Sequence, residues 1–172
     1  MKKKSKKLIW LTYPGQTLYE SLNPYWIFCE RSLTTPESIA IIHDNEDDIT
    51  KIKKAFTIIS QEFEPNKKIN IKSISYDDED VNGFKNTIQF IFDEAINDKA
   101  KLIVDISPTT SWSFVPVFLS KISQENKKMV NSLIYLQYSN HSLRSRPYPL
   151  IPGMGITLHD ILPDLSEMKG KK

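Results

Sequence analysis

Cysteine is almost missing from this sequence. Cys29 stands alone among 172 residues, so no intramolecular disulfide can form, which fits a reducing, cytoplasmic setting. Glycine is scarce at five residues, and none falls into a G-x-G-x-x-G or a G-x-x-x-x-G-K pattern. Dinucleotide and nucleoside-triphosphate enzymes are therefore poor fits. Long apolar runs are missing too, and none approaches the ~20 residues that span a bilayer. The apolar stretch Leu8–Tyr13 behind the basic Met1–Lys7 run is too short for the core of a signal peptide. His43 and His159 are too scattered to build a zinc site.

What remains is the composition of one globular domain, 40% hydrophobic and 26% charged, enough to bury a proper core. The net charge of +2 conceals a pattern along the chain. Residues 1–40 carry six basic and three acidic side chains, residues 41–100 eight and thirteen, and residues 101–172 nine and five. An acidic middle lies between two basic ends, which would form a positive surface if they met in space.

The hydrophobic periodicity sets out an order of elements. Leu8–Tyr13 is a short run of strand formers closed by Pro14-Gly15, and Ser38–His43 is a second buried strand. Ile49, Ile52, Phe56, Ile59 and Phe63 recur at helical spacing after the acidic turn Asp44–Asp48, where Asp47 or Asp48 can cap. Lys68–Tyr76 alternates as an edge strand. Beyond Asp77–Asp80, Val81, Phe84, Ile88, Ile91, Phe92 and Ala95 line a further helix that stops near Asn97-Asp98. Leu102–Ile106 is a continuous apolar run suited to a central parallel strand. A helix over Phe114–Ile122 with Ser113 as its cap, a strand over Met129–Tyr138 and a short helix over Leu158–Met168 complete the order. Thr17–Glu30 has helical spacing interrupted by Pro24, which predicts two short pieces or a late start. Three prolines between Pro147 and Pro152 exclude a regular helix or central strand there. The alternation predicts a doubly wound α/β fold, a mainly parallel Rossmann-like sheet with helices on both faces. The pattern predicts a flexible basic N-terminus over residues 1–7, the Rossmann-like domain over 8–140, and a proline-rich extension packed on it over 141–172.

Ligands of such sheets settle beyond the carboxyl ends of the strands, where the winding changes direction. The first strand and Leu102–Ile106 are natural neighbours there. Their carboxyl ends carry Tyr13-Pro-Gly15-Gln16-Thr17 and Ser107-Pro-Thr109-Thr110-Ser111-Trp112-Ser113. Both loops are small, polar and hydroxyl-rich, and each leads into a helix. Helix-start N–H groups joined by hydroxyls suit an anionic phosphate. The same Ser, Thr and Pro content is also ordinary capping chemistry.

Val104-Asp-Ile-Ser-Pro-Thr-Thr110 resembles the strand-four motif of CARF domains, the CRISPR-associated Rossmann folds, and Leu11-Thr-Tyr-Pro-Gly-Gln-Thr17 resembles that family's loop after strand one. The order of elements over residues 8–140 agrees with the family. Two positions depart from its pattern: Thr109 stands where a glycine is usual and Ser111 where a lysine is usual. A cation for phosphate must then come from elsewhere, and Arg144 and Arg146, two of only three arginines, are the candidates.

The resemblance implies a homodimer that binds cyclic oligoadenylate, cyclic tetra-adenylate above all, across a two-fold axis. A standalone domain of this kind resembles the ring nucleases, which open the messenger and switch off type III CRISPR antiviral signalling. On that reading Tyr13, Gly15, Gln16, Thr17, Ser107, Thr109, Thr110, Ser111 and Trp112 bind the ligand, while Thr110, His141, Arg144 and Arg146 serve cleavage. No cofactor and no metal are expected, nor a membrane or DNA partner, since no recognition helix is legible. Core packing for Tyr13 and Trp112, and a solvated place for His141, Arg144 and Arg146, are the structural alternatives. The competing functions are a non-catalytic sensor or sink and a regulator of transcription or assembly. A metal-dependent nuclease or phosphoesterase using Asp44–Asp48 and Asp77–Asp80 is a further one.

Overall fold

A computed structural model describes residues 7–43, 48–76, 80–108, 118–120 and 128–162. Among them, β1 (Leu8–Thr12), β2 (Ser38–His43), β3 (Asn70–Ser75), β4 (Lys101–Asp105), β5 (Val130–Tyr138) and β6 (Ile156–Asp160) form one sheet. Their spatial order is β3-β2-β1-β4-β5-β6. The first five strands run parallel, and β6 runs antiparallel to β5 with Tyr138 opposite Ile156. Among the described residues the long helices are α1 (Leu18–Ser32), α2 (Ile49–Phe63) and α3 (Val81–Asn97), and residues 118–120 are also helical.

Side-chain alternation along the strands splits the core into two layers. Ile9 and Leu11 of β1 and Leu102 and Val104 of β4 meet Phe84, Ile88, Ile91 and Phe92 of α3 on one face. Trp10 and Ile103 point the other way, with Ile39 and Ile41 of β2, into Leu22 and Tyr25 of α1 and Ile52, Phe56 and Ile59 of α2. Helices thus cover both faces, as the doubly wound pattern requires. β1 and β4 are each buried on both faces, which explains their unbroken apolar runs. The order reverses between β1 and β4, so the topological switch point lies there.

Two expectations need correction. Pro24 does not divide the segment after β1: α1 is one helix of 15 residues with Pro24 inside it. An interior proline costs about 3 kcal/mol, but α1 buries Leu22, Tyr25 and Cys29 in the layer shared with Trp10 and α2, and Ile27 is buried as well. Each large apolar side chain so buried contributes about 1.5–3 kcal/mol, and together they outweigh the proline. The expected helix from Leu158 is instead β6, which starts at Ile156. Leu158, Ile161 and Leu162 do recur at helical spacing, but the open edge of β5 offers a complete ladder, and Ile156–Asp160 takes it. Residues 163–168 of that expected helix lie outside the described residues, as do the cap Ser113 and all but residues 118–120 of the helix expected over 114–122.

Candidate functional site

The parallel register places Leu11 beside Val104, so the next pair, Thr12 and Asp105, meets at the carboxyl end of the sheet. Both side chains are fully buried. The Thr12 hydroxyl donates to Asp105 Oδ2 at 3.0 Å, and the Ser107 backbone N–H donates to Oδ1 at 2.9 Å. Burial pushes the Asp105 carboxyl up to about 7, against hydrogen bonds from Ser107 and Thr12 that favour its charged form. Ser107 Oγ also accepts the Leu136 backbone N–H at 2.8 Å. It supplies a rung of the β4–β5 ladder beyond the end of β4. The Ser107 hydroxyl, expected at a ligand, is committed to joining the end of β4 to β5.

Above this floor the two loops touch. A Cβ built on Gly15 would come within 3.2 Å of Pro108 Cβ and 2.5 Å of Glu20 Cβ. Gly15 is thus required by close approach, its N–H donating to Ser21 Oγ at 2.9 Å. Thr17 precedes α1, and Glu20 reaches back so that its Oε2 accepts the Thr17 N–H at 3.3 Å. This is the returning half of a T-x-x-E capping box. The Thr17 hydroxyl donates to the Arg144 carbonyl at 3.0 Å.

Arg144 arrives from the other end of the chain. After β5, residues 141–150 fold into two 3-10 turns, His141–Ser145 and Tyr148–Leu150, that lie along α1 from Thr17 at its start to Glu30. Asn23, fully buried, pins them: its Oδ1 accepts the Tyr148 N–H at 2.9 Å and its Nδ2 donates to the Arg146 carbonyl at 2.9 Å. The Arg144 guanidinium stands 3.4 Å from Glu20 Oε1 and 5.8 Å from the centre of the Tyr138 ring. Burial pushes the Tyr138 hydroxyl up to about 12, so it stays protonated at neutral pH.

The structure therefore brings together Gly15, Thr17, Ser107 and Arg144 from the expected set. Tyr13 lies with its ring in the core and its hydroxyl 3.1 Å from that of Tyr76. Gln16 is exposed on the β1–α1 loop, and His141 is exposed at the start of the first 3-10 turn. Arg146 is also exposed, and the structure engages its carbonyl. Thr109, Thr110, Ser111 and Trp112 lie outside the described residues, as do most members of both acidic clusters. Among the described residues, no group of three His, Cys, Asp or Glu side chains converges on a possible metal position. Cys29 is buried, its thiol pushed up to about 12 by burial, which makes it a poor nucleophile. Thr12, Glu20, Asn23 and Asp105 belong to the site although sequence reasoning did not select them. Glu20 had a signal, since it stands three residues after Thr17.

Two further hollows lie elsewhere. One of about 180 Å³ is at the amino-terminal end of the strands, lined by Lys7, Glu37, Asn70, Lys72 and Asp98 among others. One of about 260 Å³ runs between the end of α1 and strands β5 and β6. Neither reaches the switch point.

No family model matches the chain, and no curated protein is similar to it in sequence. A structure of Enterococcus italicus Csm6 bound to cyclic hexa-2'-fluoro-hexa-dAMP is similar in fold, with a TM-score of 0.56 at 11% identity. The match covers 96% of this chain and 44% of that one, so this chain corresponds to less than half of that Csm6. At such identity the likeness is one of fold. It agrees with the six-stranded, mostly parallel α/β sheet. No helix among the described residues is long and apolar enough to cross a membrane.

Proposed function

We propose that this chain is a CARF-like protein that binds cyclic oligoadenylate at the β1–β4 switch point. The observation that carries the reading is the meeting of the two loops there, Gly15 against Pro108, with Thr17 and Arg144 gathered beside them. A helix start, a hydroxyl and a guanidinium form a set of donors suited to phosphodiester oxygens. The fold likeness to a Csm6 solved with a cyclic hexanucleotide supports the choice of ligand class. Two copies of the chain would present the same loops to a ligand that is itself symmetric.

Opening the ring needs no metal. A ribose 2'-oxygen attacks the adjacent phosphorus, the bond to the 5'-oxygen breaks, and a 2',3'-cyclic phosphate and a 5'-hydroxyl result. The 2'-hydroxyl proton leaves to solvent or a base, and the departing 5'-oxygen takes one up. The protein must hold the in-line geometry and stabilise charge on the phosphorane. Thr17 and Arg144, with Thr110 of the second loop, are the residues proposed to do this.

Purified protein incubated with cyclic tetra- and hexa-adenylate in EDTA should yield linear products with 2',3'-cyclic phosphate ends. Replacing Thr110 or Arg144 should reduce that yield. Cleavage that requires added Mg²⁺ and fails in Asp44→Ala or Asp78→Ala would favour the acidic clusters instead. A second reading, binding without turnover, is favoured by a specific feature: Arg144 is already paired with Glu20 and the Ser107 hydroxyl is already committed. Tight binding with no linear product would establish it, and no binding would remove both.

A further inference from the structure

Glu20 is nearly buried, with 5% of its surface exposed, yet its carboxylate is poorly compensated. Its contacts to Thr17 N and Arg144 are 3.3 and 3.4 Å, long beside the ~2.7–2.9 Å of a good charge-assisted bond. Arg144 is no better served: its Nε is buried and has no hydrogen-bond partner among the described residues. A guanidinium offers a planar fork that takes two oxygens of one anion at once, and among the described residues a single long hydrogen bond, to Glu20, occupies it. The Thr17 hydroxyl, meanwhile, is spent on the Arg144 carbonyl.

The three donors offered above to a phosphodiester are therefore tied to one another, with a carboxylate among them. Gly15 shows how closely the loop wraps that carboxylate, since a Cβ there would meet Glu20 Oε2 at 2.6 Å. We propose that Glu20 occupies the seat of the ligand's phosphate, clasping Arg144 and the 141–150 segment over α1, and thereby sets the affinity of the site. The inference rests on the phosphodiester-binding reading above. Two anions cannot share this cation at close range without strong repulsion. An incoming phosphodiester must displace the Glu20 carboxylate from Arg144, and the energy of that exchange is subtracted from binding. Glu20 is on this account a residue that determines affinity, with no part in the bond changes.

Titration calorimetry with cyclic tetra- and hexa-adenylate on the full chain tests this, using wild type, Glu20→Gln, Arg144→Ala and the double variant. Glu20→Gln keeps the shape and the acceptor for Thr17 N, removes the charge, and should bind roughly tenfold more tightly. The gain should vanish when Arg144 is also replaced. Hydrogen exchange in the ligand-free protein should show faster exchange over residues 141–150 in Glu20→Gln. If Glu20→Gln does not fold, Glu20→Asp draws the carboxylate back by one methylene and should also tighten binding. Equal or weaker binding by the folded variant overturns the inference, whatever wild type binds. If no variant binds either ring, the phosphodiester reading fails by itself. The clasp then stands on exchange alone: faster exchange over 141–150 supports it and unchanged exchange overturns it.

Discussion

Two residues at the carboxyl end of the sheet are set by contacts that allow little substitution. Gly15 is held between Glu20 and Pro108, so Gly15→Ala forces one loop off the other. A loss of about 1–3 kcal/mol in denaturant unfolding is expected, the usual cost of overpacking a close contact. Asp105 is a different case, because its carboxyl is raised from 3.8 to about 7 by burial. Above pH 4 the unfolded chain has given up this proton while the folded chain still holds it. Stability contributed by Asp105 is therefore greatest at acid pH, falls as pH rises through about 7, and levels beyond. Asp105→Asn removes that proton uptake, and its amide can still bridge Thr12 and the Ser107 N–H. The urea midpoint of Asp105→Asn, compared with wild type between pH 5 and pH 8, should lose this fall. A parallel fall in both proteins would assign the titration to another group. Neither feature was visible in the motif alone, since Val104-Asp-Ile shows an aspartate but not that it is sealed from water.

α1 and the 141–150 segment depend on each other through Asn23. Its amide serves two backbone groups of that segment and lies 3.2 Å from the Tyr138 hydroxyl. Asn23→Ala leaves the Tyr148 N–H and the Arg146 carbonyl without partners, at about 1–3 kcal/mol for each group that stays buried. The prediction is a lower melting temperature together with faster hydrogen exchange confined to residues 141–150, the helices α2 and α3 staying protected. Sequence reasoning located these elements well where the pattern was strong. The spacing of Ile49, Ile52, Phe56 and Ile59 marked α2, and the run Leu102–Ile106 marked β4. It failed where long-range contact overrode local preference. Pro24 lies inside a helix because the sheet beneath rewards burying Leu22 and Tyr25, and Ile156–Asp160 is a strand because β5 has an edge to fill.

For the molecule as a whole, the sheet order sets the strands of the acidic stretch on one flank, while its helix α3 packs over β1 and β4. Strands β2 and β3, within or beside the acidic 41–100 block, form one half of the sheet, and β4, β5 and β6 form the other. The switch point lies between β1 and β4, at the margin of the basic remainder, where a polyanion is proposed to bind. A cyclic oligoadenylate shared between two chains requires an isologous dimer with both switch points facing its axis. Sedimentation equilibrium should then report twice the 19.9 kDa chain mass, and raising salt should weaken ligand binding by screening. A monomer at concentrations where the ring binds would remove the shared-ligand arrangement while leaving the switch-point site intact.

The alternation of strand and helix and the helices on both faces of the sheet were legible in the sequence, because each rests on periodicity within a few neighbouring residues. The loop Tyr13–Thr17 and the end of β4 at Ser107 were marked the same way, by a composition that changes abruptly at the end of an apolar run. The partners of the polar groups were not legible. Glu20 and Arg144 are separated by 124 positions, Asn23 and Tyr148 by 125, and Thr12 and Asp105 by 93. No local pattern records such pairings. They follow from which strand lies beside which and from the need of buried polar groups for partners, which distant segments supply only once the chain has closed on itself.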